Sequence, residues 1–265
     1  VLSVVILTLN EAKHIAACLE SVRDFADEML VFDSGSADGT TEVARGAGAR
    51  VETRLFDNYA GQRNAALDAA RGDWIFFIDA DERADAAVGE EIRAEISRIE
   101  NAIGEGNETA GNETAFVPYE TLFWIPRKNC IFGKWIQHTG WSPDYQPRVL
   151  RKGKAWFDPA RPVHELVITQ GRELYLKQSL VHYNYETLAQ FREKQERYTK
   201  FEAREMFEQG VRPRLRSFVS MPAREFYRRF IALQGYRDGL HGLALSALMA
   251  YYAFWRQVWC QRIVR

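Results

Sequence analysis

WIFFIDADE, residues 74–82, is the stretch on which the reading of the fold turns. Trp74 to Ile78 are apolar without interruption, and Asp79, Ala80, Asp81 and Glu82 follow at once. A short continuous apolar run is what a strand buried on both faces requires. The carboxylates then lie at the strand's C-terminal end. Two aspartates at i and i+2 can face one hard cation, and Mg²⁺ is typically held by one or two carboxylates together with substrate phosphates. A turn capped by aspartates, ahead of a helix starting at Asp85, is the competing reading of the same residues.

Working outward, the first hundred residues alternate strand-like and helix-like patterns. Residues 4–9 form a second run, apolar but for Thr8, closed by Asn10 and Glu11. Ile15, Cys18, Leu19 and Val22 then recur at helical spacing. Residues 29–32 read as a strand ending in DSGSADGT, 41–47 as a helix, 50–54 as a strand and 59–70 as a helix. The order predicts an α/β fold with a mostly parallel sheet and right-handed crossovers. Ligands of such sheets bind at the C-terminal ends of the strands, where these polar residues fall.

Residues 85–103 read as an exposed helix, and the twice-printed GNETA that follows (106–115) as a solvated loop. Each copy carries an N-x-T sequon, but the chain opens on VLSVVILTL with no basic segment ahead of it, so a cytosolic protein is expected. Residues 115–185 are β-rich and aromatic. A charged helix follows over 187–210, then Pro213 and Pro222, then two helices near 223–236 and 239–264.

Apolar residues at 46% and charged residues at 27% exclude disordered and collagen-like chains. Three cysteines without a CxxC argue against a disulfide framework or a zinc ribbon. The net charge of −1 conceals an asymmetry: residues 1–117 carry 10 basic and 23 acidic side chains, and residues 118–265 carry 25 and 13. From residue 211 onward ten arginines face only Glu225 and Asp238.

Four segments, VVILTLNEAKHIAACLESV, DSGSADGTTEVA, YAGQRNAAL and WIFFIDADE, occur in the order and spacing of the family-2 glycosyltransferases, which the chain resembles. That resemblance implies the GT-A nucleotide-sugar fold, a nucleotide-sugar donor such as a UDP-sugar, and Mg²⁺ or Mn²⁺. It assigns Thr8, Asn10 and Glu11 to the nucleoside pocket and Asp33 to the base or ribose, with a simple turn at Gly35 as the alternative for Asp33. Gln62 and Arg63 would reach the nucleotide, and Asn64 would either join them or serve as a helix-packing polar group. Asp81 would bind the metal, and Asp79, with Ala80 between them, would contact ribose or metal. His182 is a candidate for metal or diphosphate, or a core histidine.

The second half resembles the lipopolysaccharide-core β-1,4-glucosyltransferase-like enzymes, through IPRKNCIFGKWIQHTGWSPDYQPRVLRKGKAWF, PVHELV, LVHYNYETLAQFREKQERY and GYRDGLHG. The implied reaction is inverting transfer of a hexose, glucose from UDP-glucose, to a lipid-linked or lipopolysaccharide-core saccharide. Such a transfer needs a base for the acceptor hydroxyl. Glu165 is the first candidate and Asp144 the second, while Trp141, His164 and Arg148 are candidates for the acceptor. Arg148 and Arg151 could hold phosphate or serve a plain strand role. A polyprenyl-phosphate sugar transferase, or a non-catalytic nucleotide-sugar or membrane-binding module, are the alternatives.

The expected organisation is a GT-A domain over 1–185, with a nucleotide-sugar half (1–104) and an acceptor half (115–185), and a basic helical extension over 186–265. The uncharged tract at 239–255 is too short for the ~20 residues that span a bilayer. Its flanking arginines and aromatic residues suit an anionic leaflet, with a homo-oligomer contact as the alternative. The expected place is the inner face of the cytoplasmic membrane. No nucleic-acid-binding module accompanies the basic stripe.

Overall fold

The computed structural model describes residues 1–104, 117–160 and 166–264. Both GNETA copies, with their sequons, and the candidates His164 and Glu165 lie outside the described residues. In chain order the elements are β1 (Leu2–Thr8), α1 (Ile15–Val22), β2 (Glu28–Asp33), α2 (Thr40–Gly46), β3 (Arg50–Thr53), α3 (Tyr59–Ala69), β4 (Trp74–Phe77), β5 (Glu82–Arg83) and α4 (Ala86–Gly104). Then come β6 (Glu120–Ile131), β7 (Lys134–Trp135), β8 (Tyr145–Arg151), β9 (Ala155–Phe157), β10 (Val167–Thr169), β11 (Arg172–Tyr175) and β12 (Leu180–Tyr185). The helices α5 (Leu188–Glu208), α6 (Ser217–Tyr227) and α7 (Leu240–Val264) follow. Between α6 and α7 lie a π-helical turn, Arg228–Ala232, and a 3-10 turn, Gly235–Asp238.

The chain divides into two compact units. The first comprises residues 1–127 and 145–182, the second 128–144 and 183–265.

In the first unit β3, β2, β1 and β4 lie side by side in that order, all parallel. β8 and β6 then extend the sheet antiparallel, so the sheet is parallel in its first half and mixed beyond it. The apolar runs account for this arrangement. Every residue of β4 is buried, and Trp74, Phe76 and Phe77 are fully so. Burying one such side chain contributes about 1.5–3 kcal/mol. α1 turns Ile15, Cys18, Leu19 and Val22 onto one face of the sheet, all fully buried. Across the β4 side, the Trp74 and Phe123 rings meet at 4.9 Å.

A two-stranded antiparallel pair matters more for function than its size suggests. β5 is only two residues long, and its partner is β12, with Glu82 opposite His182 and Arg83 opposite Val181. A late histidine is thereby carried to the residues that follow β4.

The second unit packs Ile131, Ile136, Tyr185, Phe191, Leu245 and Tyr252 into one cluster. α5 starts on a capping box in which the Thr187 hydroxyl accepts from the Gln190 N–H and the Gln190 side chain accepts from the Thr187 N–H. The division differs from a cut at 185/186 because residues 128–144 are held by the tail. The buried Asp238 carboxylate accepts the backbone N–H groups of Gln137 (3.2 Å) and His138 (2.9 Å), and Lys134 Nζ donates to the Asp238 carbonyl (2.8 Å). Gly242 has no room for a side chain, since a Cβ there would run into the Gly235 carbonyl oxygen. α6 begins before the proline expected to precede it and contains Pro222. The turn from Arg214 to Ser220 makes its own hydrogen bonds first, among them Ser217 N–H to the Arg214 carbonyl (2.8 Å) and Ser220 N–H to the Arg216 carbonyl (2.9 Å). The proline therefore removes one bond from a helix already under way.

Candidate active site

Thr8 and Asp33 end β1 and β2 in register. The buried Asp33 carboxylate is fully used within the protein: it accepts from Thr8 Oγ1 (2.8 Å), Ser36 Oγ (2.5 Å), and the N–H groups of Gly35 (2.9 Å) and Ser36 (2.8 Å). Burial pushes its carboxyl up, but these donors outweigh that effect and hold it below the usual carboxylate range. The turn needs Gly35, whose φ is +97°. Asn10 takes φ +59°, a conformation asparagine tolerates. Its Oδ1 accepts the Ala37 N–H (2.9 Å), and its own N–H donates to Ser36 Oγ (2.8 Å). The Glu11 N–H donates to Thr40 Oγ1 (2.8 Å). The two strand-end loops are thus laced to each other, with Asn10 exposed and Glu11 half-buried.

α3 starts at Asn58, whose side chain accepts the Gly61 N–H at 2.7 Å. Gln62 is fully buried. Its Oε1 accepts from Arg54 Nη1 (2.6 Å), and its Nε2 donates to Ser34 Oγ and the Arg54 carbonyl (3.1 Å each). Asn64 spans to Phe157, donating to its carbonyl (2.8 Å) and accepting its N–H (2.9 Å). Arg63 points the other way. Its guanidinium lies 5.5 Å from the Phe77 ring and 5.3 Å from the Phe157 ring, and 3.7 Å from Asp79 Oδ1.

The residues after β4 meet a cluster of opposite charges. Arg148, on β8, donates from Nη2 to Asp79 Oδ2 (2.6 Å) and to Glu82 Oε1 (2.5 Å). Arg127 reaches Glu82 at 3.4 Å, and Glu82 Oε2 accepts the Asp79 N–H at 3.0 Å. Glu82 is fully buried, whereas the Asp79 side chain keeps 37% of its surface exposed. Burial works against the Asp79 charge, but Arg148 and Arg63 hold its carboxyl well below the usual range. Burial, with Asp79 beside it, pushes Glu82 up. Arg148 is held firmly protonated by both carboxylates despite its burial. On the other side of this loop His182 Nε2 stands 3.5 Å from Asp81 Oδ2. Ala80, between the aspartates, is buried.

Of the remaining described candidates, Trp141 and Asp144 belong to the second unit and Arg151 to the first. Asn129 Nδ2 donates to Asp144 Oδ2 (2.8 Å) and to the Trp141 carbonyl (2.9 Å), closing the turn that contains the cis Ser142–Pro143 bond. The Trp141 ring meets Tyr185 edge-on at 6.1 Å. Arg151 packs over Tyr119 at 4.7 Å and pairs with Glu100 at 3.5 Å.

Residues 3–147 match the family model described as glycosyl transferase family 2. The chain belongs to that family. It is a glycosyltransferase with the GT-A fold, and its parallel strands β3-β2-β1-β4 carry the loops described above at their C-terminal ends. Over 96% of its length the transferase is 29% identical to the lipopolysaccharide core biosynthesis glycosyltransferase LpsC of Rhizobium meliloti, covering 89% of that protein. It is 26% identical to an uncharacterized glycosyltransferase of Rickettsia bellii, covering 96% of this chain and 84% of that one. A Mycobacterium tuberculosis glucosyl-3-phosphoglycerate synthase, crystallised with Mn²⁺, UDP and glucosyl-3-phosphoglycerate, matches with a TM-score of 0.33 and 23% identity, over 48% of this chain and 43% of that one.

The surroundings of Asp79 and Arg63 also include residues that the sequence pattern does not single out. Glu82 and Arg127 complete the charge cluster, and Phe77 and Phe157 form the surface on which Arg63 rests. Glu82 was in plain view beside the DAD triplet, but only burial reveals that it needs a cation. Among the described residues no group of three or more His, Cys, Asp or Glu side chains forms a ready-made metal centre. Asp81 and His182 supply one carboxylate and one imidazole, a set that suits a divalent ion completed by substrate phosphate oxygens. Asp79 is already committed to two arginines.

Proposed function

We propose that the protein is an inverting, metal-dependent glycosyltransferase that moves glucose from UDP-glucose to a lipid-linked or lipopolysaccharide-core saccharide. The observation that carries the proposal is the division of labour after β4: Asp79 is clamped by Arg148 and Arg63, while Asp81 faces His182 at 3.5 Å. Asp81 and His182 would hold Mg²⁺ or Mn²⁺, the imidazole favouring Mn²⁺ over an all-oxygen preference. Such an ion, when bound, neutralises charge on the departing diphosphate.

The chain's own groups supply the rest. Arg63, stacked on two aromatic rings, offers a positively charged fork toward the donor phosphates. Thr8, Asn10, Glu11 and Asp33 shape the nucleoside side, with Asp33 fixing the loop and Asn10 and Glu11 presenting polar groups beside it. Arg148 serves the donor loop rather than the acceptor. Glu165 takes the proton of the acceptor hydroxyl, with His164 and Trp141 orienting the acceptor. Asp144, tied to Asn129, is the alternative base. The similarity to the core-biosynthesis enzyme of Rhizobium meliloti over nearly the whole chain supports the acceptor class. The basic C-terminal extension would lie against the inner face of the cytoplasmic membrane. No helix among the described residues is long and apolar enough to cross one.

A panel of UDP, GDP and dTDP sugars, scored for metal-dependent binding and hydrolysis, tests the donor assignment. UDP-glucose should bind and hydrolyse only with Mg²⁺ or Mn²⁺ present. Equal hydrolysis after chelation would overturn the metal assignment, and preference for another nucleotide would overturn the donor.

A further inference from the structure

The second unit contains a cavity of about 270 Å³ that the transfer chemistry does not use. Arg212, Arg214, Arg216, Arg224, Ser220 and Gln257 line it, and no Asp or Glu is among its described lining residues. These four arginines differ from their neighbours. Arg228 and Arg229 pair with Glu225, and Arg256 with Glu202. Among the described residues, no carboxylate pairs with Arg212, Arg214, Arg216 or Arg224. Arg212 is also held in place, donating to the Phe207 and Val211 carbonyls (3.1 Å each) and lying 4.3 Å over the Phe207 ring.

Gln257 gives an independent indication. It is 2% exposed, and its Nε2 is buried with no hydrogen-bond partner. A buried amide donor left unmade is costly, and buried polar groups are otherwise nearly always paired. A site with four guanidinium forks, a hydroxyl and an unused N–H donor asks for an anion with several acceptor oxygens, as phosphate has. On the same segment Leu215 is 92% exposed and Val219 74%, one helical turn apart. Two bare aliphatic side chains beside an anion pocket match a ligand whose phosphate adjoins a hydrocarbon chain.

We propose that this cavity binds the phosphate of an anionic membrane phospholipid, with Leu215 and Val219 entering the acyl region. The inference rests on the membrane-facing reading of the extension and narrows it from diffuse attraction to one pocket. Diffuse attraction would weigh every tail arginine alike; a pocket would not.

The test is flotation of the full chain with phosphatidylcholine vesicles, with and without phosphatidylglycerol, and titration with inorganic phosphate. The protein should float with the anionic vesicles. Arg214→Gln with Arg216→Gln should weaken that binding by more than the about thirty-fold that two near-surface charges contribute by diffuse attraction alone. Arg237→Gln with Arg262→Gln, which removes the same charge outside the cavity, should weaken it only a few-fold. Gln257→Leu should weaken it at unchanged net charge. Leu215→Ser with Val219→Ser should lose vesicles but still bind inorganic phosphate. Equal losses for the two arginine pairs would overturn the pocket and leave the membrane reading standing, whereas failure of the unmodified chain to float would sink both. Vesicle binding unmoved by the Leu215 and Val219 changes would overturn the entry of those side chains into the acyl region, and inorganic phosphate that binds the cavity without competing with the vesicles would overturn the lipid phosphate as its ligand. The arginines are exposed, so those variants should fold, as circular dichroism would verify.

Discussion

Asp79 and Arg148 are 69 residues apart in the chain and 2.6 Å apart in space, and the same guanidinium nitrogen also holds the fully buried Glu82. Removing this cation leaves a buried carboxylate without its main counter-charge. Arg148→Met should therefore destabilise the protein by about 3–5 kcal/mol, as breaking a buried pair does. Arg148→Lys, which keeps the charge but not the fork, should lose less. Urea denaturation of the two variants decides it, and equal losses would contradict the clamp.

The aspartates should separate in kinetics. Asp81→Ala should lower metal-dependent turnover at least about a hundredfold, the loss of several kcal/mol of charge stabilisation. Asp79→Asn, which still accepts from Arg148, should lower it less and mainly cost stability. His182→Ala should raise the metal concentration needed for half-maximal activity about 10–100-fold.

The base assignment is tested by paired amides. Glu165→Gln should reduce turnover about 10²–10⁴-fold, the usual contribution of general base catalysis, with donor binding unchanged. Asp144→Asn should reduce it far less, because an amide can still accept from Asn129. The reverse ranking in initial rates would move the role to Asp144.

Burial pushes the Tyr185 phenol from its ordinary value near 10 up to about 12. Below pH 10 folded and unfolded chains both keep the proton, and the phenol adds no pH dependence. Between about pH 10 and 12 the unfolded chain releases it first, so stability falls as pH rises, by up to about 2–3 kcal/mol. Tyr185→Phe should flatten that part of the profile. Its cost at neutral pH should be about 0.5–1.5 kcal/mol, for the bond that Gln195 Nε2 donates to the phenol oxygen at 3.1 Å. Urea midpoints measured across the alkaline range are the readout.

Gly242→Ala should destabilise the second unit by about 1–3 kcal/mol, since the added methyl meets the Gly235 carbonyl. An unchanged melting temperature would show that the turn at Gly235 yields freely.

The features legible in advance were those written locally. β1, β2 and β4 were readable because a strand covered on both faces must be apolar throughout, and the DAD triplet because it ends one. The sequence leaves Asp33 and Asn64 open between two roles each. The structure gives Asn64 its packing bonds to Phe157 and shows Asp33 capping the Gly35 turn. What sequence spacing cannot express is partnership at a distance. The sequence points Arg148 toward phosphate, acceptor or a plain strand role, whereas its nearest partners are two carboxylates far upstream. Gln62 was read toward the nucleotide, yet Arg54 and Ser34 use its amide. Pattern alone gives no sign that residues 128–144 pack with the tail, because two of the Asp238 carboxylate's contacts are backbone N–H groups, which have no residue signature, and the His138 ring beside them lies 100 residues away in the chain.

The two stretches of the second unit, 128–144 and 183–265, enclose a segment of the first between them. A truncation at residue 186 would not trim an appendage. It would strip Phe191, Leu245 and Tyr252 from Ile131 and Ile136, and leave an oily stub on whatever remained. Recombination between relatives faces the same constraint: a tail cannot be inherited profitably unless the insert near residue 136 travels with it. The tail and the stretch near residue 136 should therefore change as one heritable block.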